Sequence, residues 1–225
     1  MNYKNMKQFF FLVNFVFLLG MISTAQASAE LAEPQKAIEK ASVKLQKELK
    51  DDGFLTDFAK INHFVEEVIE PHMDFNKISK LVVGKHWRRA SEEEKKNFEK
   101  EFKILLVRTY SRAFIGFDDW SVDFLPLDMN KAVKQVKNTK AVTVRTKIIQ
   151  PGKSPFTINY KMWLVDGKWK TYDVVLEGVS LVKNFRTSIS RRMSKPGASL
   201  SKVTAYLSKK NITALNRLKE EDKQS

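Results

Sequence analysis

The chain changes its hydrophobic period twice. From Pro34 to Lys50 the apolar residues Ile38, Ala41, Leu45 and Leu49 recur at helical spacing, and Gly53 ends the run. Phe58, Ile61, Phe64, Val65, Val68 and Ile69 form the face of a second helix. It should stop at Glu70, because Pro71 disfavours helical backbone in the residue before it. Asp74 is placed to cap a third helix carrying Phe75, Ile78, Leu81 and Val82, with Gly84 at its end. Ser91 and Glu94 make a capping box for the longest helix, whose wide apolar face holds Phe98, Phe102, Leu105, Leu106, Tyr110, Ala113 and Phe114.

After Trp120 the period becomes two. Val142, Val144 and Ile148 alternate with polar residues, and Pro151-Gly152 turns the chain. Phe156, Ile158, Tyr160, Met162 and Leu164 alternate again, Asp166-Gly167 makes a tight hairpin, and Lys170 to Leu176 returns. Residues 120–125 and 132–137 are weaker strand candidates. Beyond Gly178 helical spacing resumes with Val182, Phe185, Ile189 and Met193, then with Leu200, Val203 and Leu207 after Pro196-Gly197. Helices, strands, then helices predict an α+β fold with an antiparallel meander that is strongly apolar on one face.

The N-terminus stands apart from this pattern. Lys4 and Lys7 precede an apolar run from Phe9 to Ile22, and Ala25-Gln26-Ala27 offers small residues in A-x-A order. This reads as a signal peptide over residues 1–27, cleaved after Ala27, and the run is short for a membrane span. The domain then covers 28–210, and 211–225 reads as a charged, frayed tail. With no cysteine in the chain, no disulfide supports an exported fold, so packing must do so; 16 Phe, 4 Trp and 5 Tyr can supply it. A formal net charge of +14 points to an anionic partner, and export leaves anionic lipid head groups or an acidic protein as the better candidates over nucleic acid.

Candidate chemistry is sparse. Ser180 with Lys183 and Ser199 with Lys202 match S-x-x-K, but without the companion motifs of the enzymes that use it. His63, His72 and His86 share no helical pair at ligand spacing, so no metal site is expected. Asp173 and Glu177 alternate away from Val174 and Leu176, which suits pairing beside the sheet better than acid–base work. An excess of apolar surface remains, to be buried on itself or wrapped around a ligand. Residue patterns leave both open.

Two blocks carry a family likeness. Val83-Gly84-Lys85-His86-Trp87-Arg88-Arg89-Ala90-Ser91, followed by Phe98, Phe102 and 105–110, resembles the MlaC (toluene-tolerance) family of periplasmic phospholipid-binding proteins. Residues 169–182, from Trp169 to Val182, followed by Asn184-Phe185-Arg186, are similar more tightly. The resemblance implies a twisted, NTF2-like antiparallel sheet of four to five strands, wrapped by N- and C-terminal helices around an apolar lipid cavity. It implies a periplasmic carrier with bound phospholipid as cargo and no cofactor, no metal and no enzymatic activity. Its implied partners are an outer-membrane lipoprotein–porin complex and the MCE-domain protein of an inner-membrane ABC transporter. The alternatives are an NTF2-like periplasmic enzyme or small apolar-ligand binder, and a basic module for anionic polymers.

Under the carrier reading, Leu105, Leu106, Tyr110, Val144, Ile158, Tyr160, Met162, Tyr172, Val174, Leu176, Val179 and Leu181 are the expected lipid contacts. Residues 179–185 are the expected mouth. Lys183, Arg186, Arg191 and Arg192, in a stretch without acids from Lys183 to Lys210, are the expected docking surface.

Overall fold

A computed structural model describes residues 30–51, 53–111, 119–136 and 138–221. The expected signal peptide and its cleavage after Ala27 lie outside them, as do Ala113 and Phe114. The helices are α1 (Glu33–Glu48), α2 (Phe58–Phe64), α3 (Phe75–Val83), α4 (Glu92–Tyr110), the short α5 (Met129–Ala132), α6 (Leu181–Met193) and α7 (Leu200–Glu221). The strands are β1 (Ser121–Phe124), β2 (Lys134–Val136), β3 (Thr139–Ile149), β4 (Phe156–Val165), β5 (Lys168–Leu176) and β6 (Val179–Ser180).

The local chemistry sets most of these bounds. Ser91 accepts from the Glu94 amide while Glu94 reaches back to the Ser91 amide, so α4 starts with two of its free donors satisfied. Asp74 caps α3 through the Lys77 amide, and Gly84 ends that helix with φ 67°. The expected second helix changes character partway. After Phe64 it widens into a π turn over Val65–Ile69 and tightens to a 3-10 turn over Glu70–His72, where Pro71 has no amide to continue an α-helix. Ser180 and Ser199 cap α6 and α7 through the amides of Lys183 and Lys202. Both S-x-x-K matches are therefore helix starts.

The sheet is wholly antiparallel, in the order β1-β3-β4-β5-β6, with β2 also paired to β3. Among the described residues it has six strands, where about four to five are expected. The extra one is β6, joined to β5 by a two-residue turn in which Glu177 (φ 45°) and Gly178 (φ 81°) are both left-handed, the geometry that matches strand twist. Val179 is thus a strand residue rather than part of the following helix. The Glu177 carboxylate accepts from the Thr157 amide and hydroxyl, which pins the turn to β4 and lowers its pKa.

Three apolar clusters hold these elements. The largest joins α3, α4, α6 and α7 around Phe98 and Phe102, whose rings stack at 5.5 Å, and Trp87. A second packs Phe54, Ile61, Phe64 and Val68 against Val107. The third lies on the inner sheet face, with Ile38 of α1 over Val142, Val144 and Met162. The charged tail is expected to begin at Asn211, and there the last helix still touches its neighbour. Asn211 is 2% exposed, donates to the Glu101 carbonyl and carboxylate and accepts from Arg108, so α7 continues along α4 to Glu221. A buried amide with three partners is a docking residue, although composition reads it as the start of a tail.

Candidate functional site

Glutamines position α1 over the sheet. Gln35 and Gln46, three turns apart, donate to the carbonyls of Leu125 and Trp120, next to β1. Ala37, Ile38, Ala41 and Leu45 then face the sheet across a cavity of about 400 Å³. Its floor is the inner face of the sheet: Val122, Ile148, Phe156, Ile158, Tyr160, Val174 and Leu176. A side wall runs through Phe64, Val65, Ile69, His72 and Met73, and the end of α4 contributes Leu106, Val107 and Tyr110. Lys103 on α4 ties that side wall down through Glu70 at 2.9 Å.

The cavity occupies only half of the inner face. Toward the other end, Val142, Val144 and Met162 are sealed beneath Ile38 and the 124–133 connection. Val144 and Met162 are 0% exposed, so these two expected contacts belong to closed core. Leu105 is likewise not on the wall; one residue from Leu106 on a helix, it turns into the cluster of α3, α4, α6 and α7.

A β-bulge displaces Tyr172. Tyr160 pairs with Val174 and Lys161 with Asp173, but Met162 pairs with Thr171, leaving Tyr172 as the extra residue. Thr171, 1% exposed, takes the inward position, and Tyr172 packs edge-on against Trp163 on the other face. Asp74 fixes the bulge from outside the sheet. Its amide donates to the Thr171 carbonyl at 2.9 Å, and its carboxylate accepts from the Trp163 indole at 2.9 Å. Val179 is 57% exposed beyond the rim, whereas Leu181 does line the cavity. Of the twelve expected contacts, Leu106, Tyr110, Ile158, Tyr160, Val174, Leu176 and Leu181 therefore come together, and Leu105, Val144, Met162, Tyr172 and Val179 do not.

Sequence reading missed the wall formed by α1 and residues 54–73. Its apolar faces were visible as helix stripes, yet a stripe looks the same whether it meets core or open space.

The lining is apolar with few polar groups. Tyr160 is half-buried on the cavity floor, and its pKa is pushed up to about 12 by the loss of solvent around the phenol, partly offset by the Thr146 hydroxyl. His72 is held below the usual imidazole range, first by burial and then by Lys40 and Lys44. No carboxylate lines the cavity among the described residues. Asp173 is buried but points away: it pairs with Lys161 at 2.9 Å and accepts from the Ser180 hydroxyl and the Val182 amide, anchoring the start of α6. Among the described residues, no group of three or more His, Asp or Glu could hold a metal ion, and no helix is long and apolar enough to cross a membrane.

The basic residues of α6 divide in two. Lys183, Arg186 and Arg191 are exposed, while the Arg192 guanidinium lies 3.5 Å from the centre of the Tyr206 ring. Arg192 thus helps to dock α6 on α7 by a cation–π contact and is not free surface.

Fold and cavity together define a class: an α+β domain that keeps an apolar chamber beside its sheet instead of filling it. Comparison with known proteins agrees. Residues 39–209 match the MlaC protein family, and the chain belongs to that family. It is 24% identical over 190 residues to the intermembrane phospholipid transport system binding protein MlaC of Haemophilus influenzae, covering 82% of this chain and 85% of that one. It is 23% identical over 139 residues to the toluene tolerance protein ttg2D of Pseudomonas putida, covering 61% of each. A phospholipid-binding protein from Ralstonia solanacearum, solved in complex with a phospholipid, shares the fold with a TM-score of 0.70 at 23% identity, over 82% of this chain and 99% of that chain.

Proposed function

We propose that this protein is a phospholipid carrier of the periplasm. In this reading it moves lipid between an outer-membrane lipoprotein–porin complex and the MCE-domain protein of an inner-membrane ABC transporter. The observation that carries the reading is the apolar cavity, open beside the sheet in a chain of the MlaC family. A wall that is apolar almost throughout supports a carrier over an enzyme. Its histidine, His72, stands at the rim shared with the neighbouring cleft and, among the described residues, has no carboxylate beside it in the cavity lining to orient it for acid–base work. The seven expected residues that line the cavity are the proposed acyl-chain contacts.

The physics of release supports docking. A diacyl lipid has roughly 30 methylenes, and at ~0.8 kcal/mol each their burial is worth on the order of 20 kcal/mol gross. Escape through water would be slow, so the chains must pass directly into a partner. Lys183, Arg186 and Arg191, exposed on the helix that begins at the cavity's edge, are the proposed steering charges.

Native mass spectrometry of protein purified from cells tests the proposal. The expected spectrum shows adducts at phospholipid masses that delipidation removes. A spectrum with no adduct, from protein that also fails to take lipid from vesicles, would overturn it.

A further inference from the structure

Beside the cavity lies a second cleft, whose floor of Ala41, Val43, Val68 and Pro71 is apolar and whose edges carry charge. It is lined by Glu39, Lys40 and Lys44 of α1 and by Glu67 and His72 of the facing wall, and it shares Ala41 and His72 with the cavity. Lys40 and Lys44 are one turn apart and so share a helix face, next to the Ala37, Ala41 and Leu45 stripe that faces the cavity. Both lysines are exposed, and neither has an ion-pair partner among the described residues. Of the two acids in the cleft, Glu67 is engaged by His63 at 3.4 Å. The two lysines and two acids balance in formal charge, but the charges that bear on the His72 ring are those of Lys40 and Lys44, so the cleft is positive on the side where the apolar chamber meets solvent.

We propose that Lys40, Lys44 and His72 form a phosphate site at the rim of the cavity, which holds the phosphodiester of a lipid whose acyl chains lie inside. The proposal rests on the carrier reading and deepens it, by assigning the head group a place and a preferred charge. An amphiphile in an apolar chamber must put its charged end where the wall turns polar, since burying an unpaired phosphate is costly. Two ammonium groups and an imidazole suit a phosphate monoanion, giving charge-assisted hydrogen bonds from the lysines and one from the ring. The depressed pKa of His72 fits this arrangement: both lysines already act on the ring, and a phosphate between them would relieve that field. Free inorganic phosphate offers the same chemistry without the chains.

The test loads the purified, delipidated chain and its K40Q/K44Q variant from vesicles containing either phosphatidylglycerol or diacylglycerol with the same acyl chains. Wild type should retain phosphatidylglycerol about tenfold or more better than the variant, and both should retain diacylglycerol equally. The His72 ring resonances should shift when phosphatidylglycerol loads in wild type and stay unmoved in the variant. A shift with inorganic phosphate alone, also lost in K40Q/K44Q, would support the site and show that it takes the free anion too. Equal retention of phosphatidylglycerol by both proteins would overturn the proposal while leaving the carrier reading intact. Failure of wild type to load either lipid would overturn both.

Discussion

Replacing Val174 with glutamate separates cavity from core. Val174 sits on β5 opposite Tyr160, half-buried, with its side chain on the cavity floor. In the empty protein water can reach a carboxylate there, so folding should survive. In the loaded protein the same carboxylate lies against acyl chains, and the effective cost of stripping water from it is several kcal/mol. That equals the burial of about five methylenes at ~0.8 kcal/mol each, and lowers occupancy by more than about a hundredfold. The companion change is Met162→Ala, two residues beyond Tyr160 on the same strand face but fully buried. It should cost about 2–5 kcal/mol of stability by leaving a void, with lipid per folded molecule unchanged. Native mass spectrometry reports the lipid, and denaturant melts followed by circular dichroism report the fold. Lipid occupancy that survives Val174→Glu in a folded protein, or vanishes with Met162→Ala alone, would refute the division of the sheet face drawn above.

Two further outcomes are expected. With Tyr160 at about 12 when folded and about 10 when unfolded, the unfolded chain loses that proton first; stability is intact below pH 10, falls as pH rises toward 12, and the total loss is roughly 2–3 kcal/mol. Tyr160→Phe should flatten that part of the alkaline limb in pH-dependent denaturant melts, and an unchanged limb would show that another group sets it. Reversing Arg186 and Arg191 to glutamate should slow lipid transfer to the inner-membrane partner far more than it weakens retention, and wild-type transfer should slow as salt shortens the Debye length below ~10 Å; stopped-flow transfer that ignores both salt and reversal would place docking elsewhere.

What the sequence determined alone is local and periodic. Asp74, Ser91 and Gly84 mark helix ends because a cap acts within one turn. Asp166-Gly167 sets its hairpin because few residue pairs accept two left-handed conformations. Two long motifs in order were enough for the family, since they encode many such positions together. Tertiary structure decided everything that depends on what lies across a gap. Alternation predicts that Val144, Met162, Val174 and Leu176 share a face, yet only packing of Ile38 and the 124–133 connection over one half makes the first two core and leaves the others on an open wall. Strict period two also carried Tyr172 inward. The bulge that turns it out is held by Asp74 and Met73, about a hundred residues earlier in the chain, and no window of local sequence contains both partners. Asn211 and Arg192 changed roles for the same reason: each is a polar residue whose partner, on α4 or α7, is brought to it only by the fold.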